Sequence, residues 1–348
     1  MTAKTDRSHW AVYRAFGVDI ISDHAFSRKF HPGVSPPSLR PSLKVRFSCS
    51  QSPPFSTVWR EENLLFYWRT SGPDGERWNK FYHFDDYDVF RFAGDADFYI
   101  SDERIDCCLW NPAYKPAMEL QLMGLILAFW LETKGIFSLH ASAVTTEGGA
   151  AVFPAQSGSG KSTLAAIMVQ AGARLLTDDV LPIEQEKRSL QFWGWPGLPQ
   201  INLWPDPALR LLEDYTRFDA LHSDTLKKRI PVEGVQGGTF CRERQPLTCI
   251  YFPNRVDAPM SNKQVEISPF SPAEAVIRLM DLSFVGPGIT ARMGWEPQKL
   301  DFLSRLAARI PVRKLNYPNG VEYLPRISEA IMEDLENLPR PDRYVPLI

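Results

Sequence analysis

The chain has 348 residues, 44% of them apolar and 23% charged, with a formal net charge of −2. These are the values of an ordinary globular protein long enough for two domains, and so near-neutral a balance makes no electrostatic case for nucleic acid or an anionic membrane. Cys49, Cys107, Cys108, Cys241 and Cys249 form no C-x-x-C pair and no metal-ligand spacing, which predicts reduced thiols.

The opening residues, Met1 to His9, lack the apolar core of a signal peptide, so a cytoplasmic location is expected. From Trp10 to Ile105 the pattern is β-rich, with alternating runs at Leu43–Phe47, Leu64–Trp68 and Asp86–Phe92. His31–Pro41 is broken by proline and glycine and reads as a loop, and Ser71–Gly75 reads as a turn between strands. Trp59, Trp68, Trp78 and Tyr82 are expected as core residues or cross-strand partners. This part carries no catalytic pattern. A helix is predicted over Ala117–Lys134, ended by Gly135. Its apolar stretch Leu120–Leu131, bounded by Glu119 and Glu132, is shorter than the roughly 20 residues a bilayer needs, so a buried helix is expected. The organisation predicted is a β-rich domain at 1–115, a bridging helix at 116–135 and an α/β domain at 136–340, with no internal repeat.

Beyond Gly135 the sequence alternates strand and helix. Phe137–Val144 reads as a strand, Glu147–Gly149 as a turn, and Ala150–Phe153 as the next strand. Ala155-Gln-Ser-Gly-Ser-Gly-Lys-Ser162 follows, then a helix through Thr163–Val169 that stops near Gly172. Strand, glycine-rich turn and helix are the context of a phosphate-binding loop. Gly158 and Gly160 allow a sharp turn, and the amides of Ser157 to Thr163 at a helix start can surround phosphate oxygens. Lys161 is placed to reach the β- and γ-phosphates of ATP, and the Ser162 hydroxyl to ligate Mg²⁺. Ala155 stands where the usual pattern has its first glycine, which predicts a negative φ there.

Ala173–Val180 is a third strand-like run. A strand–helix–strand crossover leaves its strands parallel and puts ligands at their carboxyl ends, so Asp178 and Asp179 are expected beside the loop. A carboxylate there can take a hydroxyl proton, hold Mg²⁺ or orient a water; it can equally accept backbone amides at a strand end. His140, between Leu139 and Ala141, reads by itself as a satisfied core histidine. Downstream, Lys228, Arg229, Arg242 and Arg244 are candidate substrate-binding cations, with a solvated basic face as the alternative. Ala273–Leu282 and Leu300–Ile310 read as amphipathic helices on the sheet, and Arg340–Ile348 as a tail.

Together, His140, the Ser157–Ser162 block and Thr177-Asp-Asp-Val180 resemble the core of the HPr kinase/phosphorylase family. The likeness runs from Phe137 to Asn202 and more thinly to Leu315. It implies an HPr-kinase-like P-loop domain of α/β class behind the β-rich domain. It also implies that Asp178 handles the proton of the acceptor hydroxyl, that His140 contacts and tunes that carboxylate, and that Asp179 joins Ser162 at the metal. In that family's downstream signature Gly194 stands where a metal-holding glutamate is usual, while Leu198, Ile201 and Asn202 match. The early Tyr13–Gly17 segment and the Ser138–Ser142 block resemble stand-alone relatives such as lasso-peptide-tailoring kinases.

The resemblance implies an ATP- and Mg²⁺-dependent kinase acting on a serine of a protein or ribosomally made precursor peptide. A peptide partner is expected, with no nucleic acid and no membrane, and with room for a homo-oligomer. A nucleotide hydrolase or switch and a small-molecule kinase are the other readings. Asn262–Val265 lacks the aspartate that reads guanine, and no Leu-Ser-Gly-Gly segment of a transporter ATPase is present.

Overall fold

Alternation in the first part of the chain becomes a single eight-stranded sheet. The computed structural model describes residues 10–26, 43–57, 59–72, 75–212, 214–220, 226–256 and 265–338. The readings at Met1–His9, His31–Pro41, the tip of the 71–75 turn, Asn262–Gln264 and the tail from 340 lie outside these residues. One unit comprises Met1–Gly135 with Gly288–Met293, the other Ile136–Pro287 with Gly294–Ile348.

In the first unit the strands are β1 (Ala11–Ala15), β2 (Val18–Ser22), β3 (Leu43–Ser50), β4 (Leu64–Gly72), β5 (Gly75–His83), β6 (Asp88–Phe92), β7 (Ala96–Ile100) and β8 (Arg104–Leu109). Their order is β1-β2-β3-β8-β7-β6-β5-β4. β3 pairs parallel with both β2 and β8, and the remaining pairs are antiparallel. Phe81, Phe90 and Phe129 meet with ring centroids 4.6, 5.2 and 5.0 Å apart. Aromatic pairs of this kind are worth about 0.5–1.5 kcal/mol each beyond the area they bury. Trp59 packs edge-on to Tyr82 and Trp68 to Phe92, as core partners, whereas Trp78 meets Tyr67 on an exposed face.

The expected helix is present but broken. α1 (Lys115–Gln121) and α2 (Leu127–Thr133) flank a wider π-type turn at Leu122–Ile126. Gly124 departs from helical geometry there (φ −104°, ψ −106°), which is where a helix lacking a Cβ yields most readily. Gly135, at φ +76°, terminates α2. Glu119 and Glu132, expected as polar limits of the buried stretch, are themselves 1% and 5% exposed. No helix among the described residues is long and apolar enough to cross a membrane.

The second unit is mixed α/β. Its strands are β9 (Phe137–Thr146), β10 (Gly149–Pro154), β11 (Arg174–Thr177), β12 (Val180–Gln185), β13 (Phe192–Gly194), β14 (Gln200–Leu203), β15 (Lys228–Pro231), β16 (Gln245–Val256), β17 (Glu266–Pro269) and β18 (Val312–Pro318). The helices of this part of the chain are α3 (Lys161–Gln170), α4 (Pro205–Leu211), α5 (Pro272–Asp281), α6 (Pro287–Arg292), which from Gly288 on is counted with the first unit, α7 (Glu296–Arg309) and α8 (Leu324–Asn337). The main sheet runs β10-β9-β12-β13-β16-β18-β17, and a β10–β16 pairing closes a circuit of five strands. Helices cover both faces, and the alternation along the strands shows it. Ala151, Phe153, Cys249 and Tyr251 pack with α3 and α8, while Ala150, Val152, Ile250 and Phe252 pack with α5 and α7. A strand buried on two sides has no polar face, hence the unbroken apolar run Ala150–Phe153.

β10 and β11 both pair antiparallel with β9, on opposite edges of it. They therefore run parallel, as the crossover predicts, but β9 lies between them. β11 and β12 are one line of chain interrupted at Asp178–Asp179, and that interruption delivers both carboxylates to the carboxyl end of β11.

Candidate active site

The loop 155–160 leaves β10 and enters α3 through two glycines in the left-handed region, Gly158 at φ +86° and Gly160 at φ +95°. A side chain at either would be strained, and a Cβ on Gly160 would also stand 3.1 Å from the Tyr317 hydroxyl. The Gly160 carbonyl takes the first helical bond, from Leu164 at 2.9 Å, so the N–H groups just inside α3 lack intrahelical acceptors. Ser157 and Gly158 are exposed, Ser159 and Thr163 half-buried.

Ala155 is not among the left-handed residues; it is buried, and its N–H donates to the His140 carbonyl at 3.3 Å. Alanine is therefore unstrained where the usual pattern has glycine. Ala155→Gly is expected to leave turnover within about threefold and to lower stability by about 0.5–1 kcal/mol through backbone entropy. Thermal unfolding and steady-state rates on the variant check both figures.

Lys161 and Ser162 start α3 and turn toward the two aspartates, one each. The Lys161 Nζ lies 3.0 Å from Asp179 Oδ1, with Lys161 only 2% exposed. Ser162 Oγ donates to Asp178 Oδ1 at 2.9 Å. Asp178 is held by two further donors, Ser142 Oγ at 2.5 Å and the Asn202 N–H at 2.8 Å. The Asn202 side-chain amide donates to Asp179 Oδ2 at 2.9 Å. Burial and the neighbouring Asp179 charge raise the Asp178 carboxyl above its ordinary value, against the pull of Lys161. Asp179 also feels burial, but Lys161, Lys227 and His140 outweigh it and hold its carboxyl well below the usual range. Asp179 adopts φ +77°, an uncommon conformation that aspartate tolerates better than most residues and that recurs at functional sites.

His140 is brought to this cluster, but not as the resemblance implies. Its Nδ1 is 3.2 Å from the Asp179 backbone carbonyl, and its ring packs edge-on to Phe284. The hydroxyl that meets Asp178 from β9 is that of Ser142, two residues on and so on the same strand face. Burial first, then Lys161, lowers the His140 pKa to about 4. The ring is accordingly neutral above about pH 5. His140→Ala is expected to slow turnover about tenfold, the scale of an orienting neighbour, without removing any inflection near pH 6.5 from the rate profile. A wild-type inflection there that vanishes in the variant would contradict this placement.

The two residues expected at the metal, Ser162 and Asp179, have different partners. Ser162 meets Asp178, whereas Asp179 is occupied by Lys161 and Asn202. Among the described residues no group of three or more His, Cys, Asp or Glu side chains is placed to hold a metal by itself.

Of the four cations named from sequence, two are visibly committed elsewhere. Lys228 Nζ donates to the Thr216 carbonyl and lies over the Tyr215 ring. Arg244 pairs with Glu184 and Glu186 and stacks 4.3 Å over Trp193. Arg229 lies opposite Asn202 in the β14–β15 pair, and Arg242 is exposed. It is Lys227, 8% exposed, whose charge acts on Asp179 and His140. Gly194 offers no side chain to a metal, and a Cβ there would stand 3.0 Å from Leu181 and Leu247, so a larger residue would require those side chains to shift.

Two contributors stand outside the candidate site residues, although Asn202 matches the downstream signature. Asn202 touches both aspartates from β14. Arg255, exposed near the end of β16, donates from Nη2 to the Gly158 carbonyl. The parallel β10–β16 register (Val152 opposite Ile250) carries Arg255 level with the loop, a proximity only the folded sheet creates.

No protein-family model matches the chain, and a search of curated proteins finds no relative. Among solved structures it is similar to the Hpr(Ser) kinase/phosphatase from Coxiella burnetii, at 15% identity over 57% of this chain and 95% of that one, with a TM-score of 0.29. A superposition that loose carries no argument about function.

Proposed function

We propose that the chain is an ATP- and Mg²⁺-dependent phosphotransferase that phosphorylates a serine hydroxyl on a peptide or small protein. The observation that carries this reading is the pairing of Lys161 with Asp179 and of Ser162 with Asp178 at the mouth of a two-glycine loop. A phosphate-reaching lysine, a metal-reaching hydroxyl and two carboxylates are the parts phosphoryl transfer requires, because catalysis there is mostly positioning and charge stabilisation.

The residues present fit both ligands. Gly158 leaves open space where a side chain would stand, so the loop backbone can approach a polyphosphate closely. The Asn202 Oδ1 is buried without a partner, an acceptor still to be used. Ser162 and Asp178 offer hard oxygen donors, and Mg²⁺ is commonly held by one or two carboxylates together with substrate phosphates rather than by an all-protein cage. When bound, the ion would neutralise charge on the phosphoryl oxygens. Lys161 would hold the same oxygens from the protein side, and Arg255 and Lys227 add positive potential around them. Asp179, kept ionised, is the carboxylate available to accept the hydroxyl proton. The peptide acceptor rests on the likeness to peptide-tailoring kinases in the Ser138–Ser142 block and the Tyr13–Gly17 segment.

The test is mass spectrometry of candidate serine peptides incubated with the protein, ATP and Mg²⁺. A gain of about 80 Da per phosphoryl group is expected on the peptide. ADP release with no phosphorylated acceptor would instead establish a hydrolase, and absence of nucleotide binding would end the reading altogether.

A further inference from the structure

Far from the aspartate pair in sequence, the first unit assembles a second group of reactive side chains. His24 follows β2, Cys49 lies on β3, Cys107 on β8 and Glu119 on α1. Ser22 faces Phe47 in the parallel β2–β3 pair, so two residues further on His24 comes level with Cys49. The backbone of His24 is pinned by Ser22, which accepts from its N–H at 2.9 Å and donates to its carbonyl at 3.1 Å. Edge-on contacts with Phe26 and Phe47 fix the ring, and Nε2 lies 2.9 Å from Glu119 Oε1. The two side chains are 9% and 1% exposed, so this is a buried imidazole–carboxylate pair.

Cys49 is the direct register partner of Cys107 across β3 and β8. Neighbouring strands lie about 4.8 Å apart, inside the Cα separation a disulfide accepts, and register partners present their side chains on one face. Cys108, one residue on, faces the other way among Tyr82, Val89 and Tyr99. All five cysteines are free; Cys49 is half-buried and the other four are buried. The Cys49 N–H donates to Asp23 Oδ1 at 3.2 Å, and Asp106 is the other carboxylate on the adjoining strand.

We propose that Cys49 and Cys107 form a peroxide-reactive dithiol, in which Cys49 is the attacking thiolate, His24 and Glu119 activate it, and Cys107 resolves it to a cross-strand disulfide. The electrostatics agree with the geometry. A hydrogen bond from Cys107 does most to lower the Cys49 thiol, to about 5; burial opposes it and His24 assists. Burial lowers the His24 pKa, but bonds to Cys49 and Glu119 outweigh it and bring the ring up to about 9. Together they describe a thiolate–imidazolium pair at neutral pH. A low-pKa, reachable thiol poised beside a second cysteine is the arrangement redox-sensitive sites use.

The chemistry balances. The Cys49 thiolate attacks the terminal oxygen of a hydroperoxide; an S–O bond forms, the O–O bond breaks, and the departing alkoxide or hydroxide takes the imidazolium proton of His24. Cys107 sulfur then attacks the Cys49 sulfenic sulfur; the S–S bond forms, the S–O bond breaks, and hydroxide leaves as water with the Cys107 proton. Two thiols lose two electrons, and the hydroperoxide is reduced to an alcohol (or water) and water.

The full chain is first alkylated with iodoacetamide at pH 6 and its peptides mapped. An ordinary thiol is only about 0.3% thiolate there, so Cys49 is expected to react at least about tenfold faster than Cys249 or Cys108. One equivalent of hydrogen peroxide is expected to give a Cys49–Cys107 disulfide that dithiothreitol reverses. Cys107→Ser should accumulate a dimedone-reactive sulfenic acid on Cys49, and His24→Gln or Glu119→Gln should slow labelling of Cys49 at pH 6 by about tenfold. Equal labelling of Cys49 and Cys249 in the wild type would overturn the proposal, as would peroxide consumption of other thiols with no Cys49–Cys107 peptide. The wild-type arms use no substitution, so a variant that fails to fold leaves them decisive.

Discussion

Lys161→Ala is expected to lower phosphoryl transfer by roughly 10²–10³-fold, the loss typical of removing one preorganised donor from a developing charge. Lys161 is the first residue of α3, and its ammonium is already at the aspartates, 3.0 Å from Asp179 Oδ1. It is not the surface lysine that a loop residue suggests: at 2% exposure its charge is accommodated only because Asp179 sits opposite. The substitution therefore has two consequences. A cation that would meet phosphate oxygens disappears, and Asp179 loses its main counter-charge while keeping the Asn202 amide. With the Asp179 side chain still 28% exposed, water can replace the lost partner, so the variant is expected to fold with a modest fall in melting temperature. Stopped-flow transfer, nucleotide titration and thermal unfolding on one preparation separate these effects. Wild-type turnover with unchanged nucleotide affinity would refute the phosphate-loop reading.

What could be read from the sequence here was local. Gly158, Gly160 and the apolar runs on either side specify strand, turn and helix through backbone freedom and burial, and β10, the loop and α3 follow them closely. The aspartates could be placed because a short crossover has few routes. The insertion of β9 between β10 and β11 left no such trace, since it depends on which strand pairs with which over long separations. The same holds for Lys227 and Arg255, each delivered by a pairing outside its own segment, whereas Asn202 showed only as a match to the downstream signature, without its contacts. Ser142 was closer to view: two residues from His140 on a strand, it shares that residue's face. The buried Glu119 reads in the sequence only as the polar limit of an apolar stretch, because its partner, His24, lies 95 residues away.

Replacing each aspartate by asparagine separates their roles, and the geometry assigns the larger effect on transfer to Asp179. Asp178 is held by Ser162, Ser142 and the Asn202 N–H, three donors fixed in the protein, and burial holds its carboxyl above the ordinary range. A carboxylate so engaged, with the metal-reaching hydroxyl on one oxygen, suits a positioning role. Asp179 shares the space of the Lys161 ammonium, and Lys161 is the group proposed to reach the terminal phosphates. An acceptor hydroxyl in line with those phosphates would lie nearer Asp179. Its lowered pKa keeps it ionised at any working pH, with some loss of basicity that a loose transition state tolerates. Asp179→Asn is therefore expected to lower single-turnover transfer by about 10²-fold or more, within the range of general-base contributions. Nucleotide affinity should hold or tighten, because Lys161 is released from its ion pair. Asp178→Asn is expected to act mainly through the metal, raising the Mg²⁺ concentration for half-maximal rate by about tenfold while saturating Mg²⁺ restores most of the transfer. Full transfer in Asp179→Asn, beside a loss in Asp178→Asn that Mg²⁺ cannot rescue, would reverse the two assignments and return proton acceptance to Asp178.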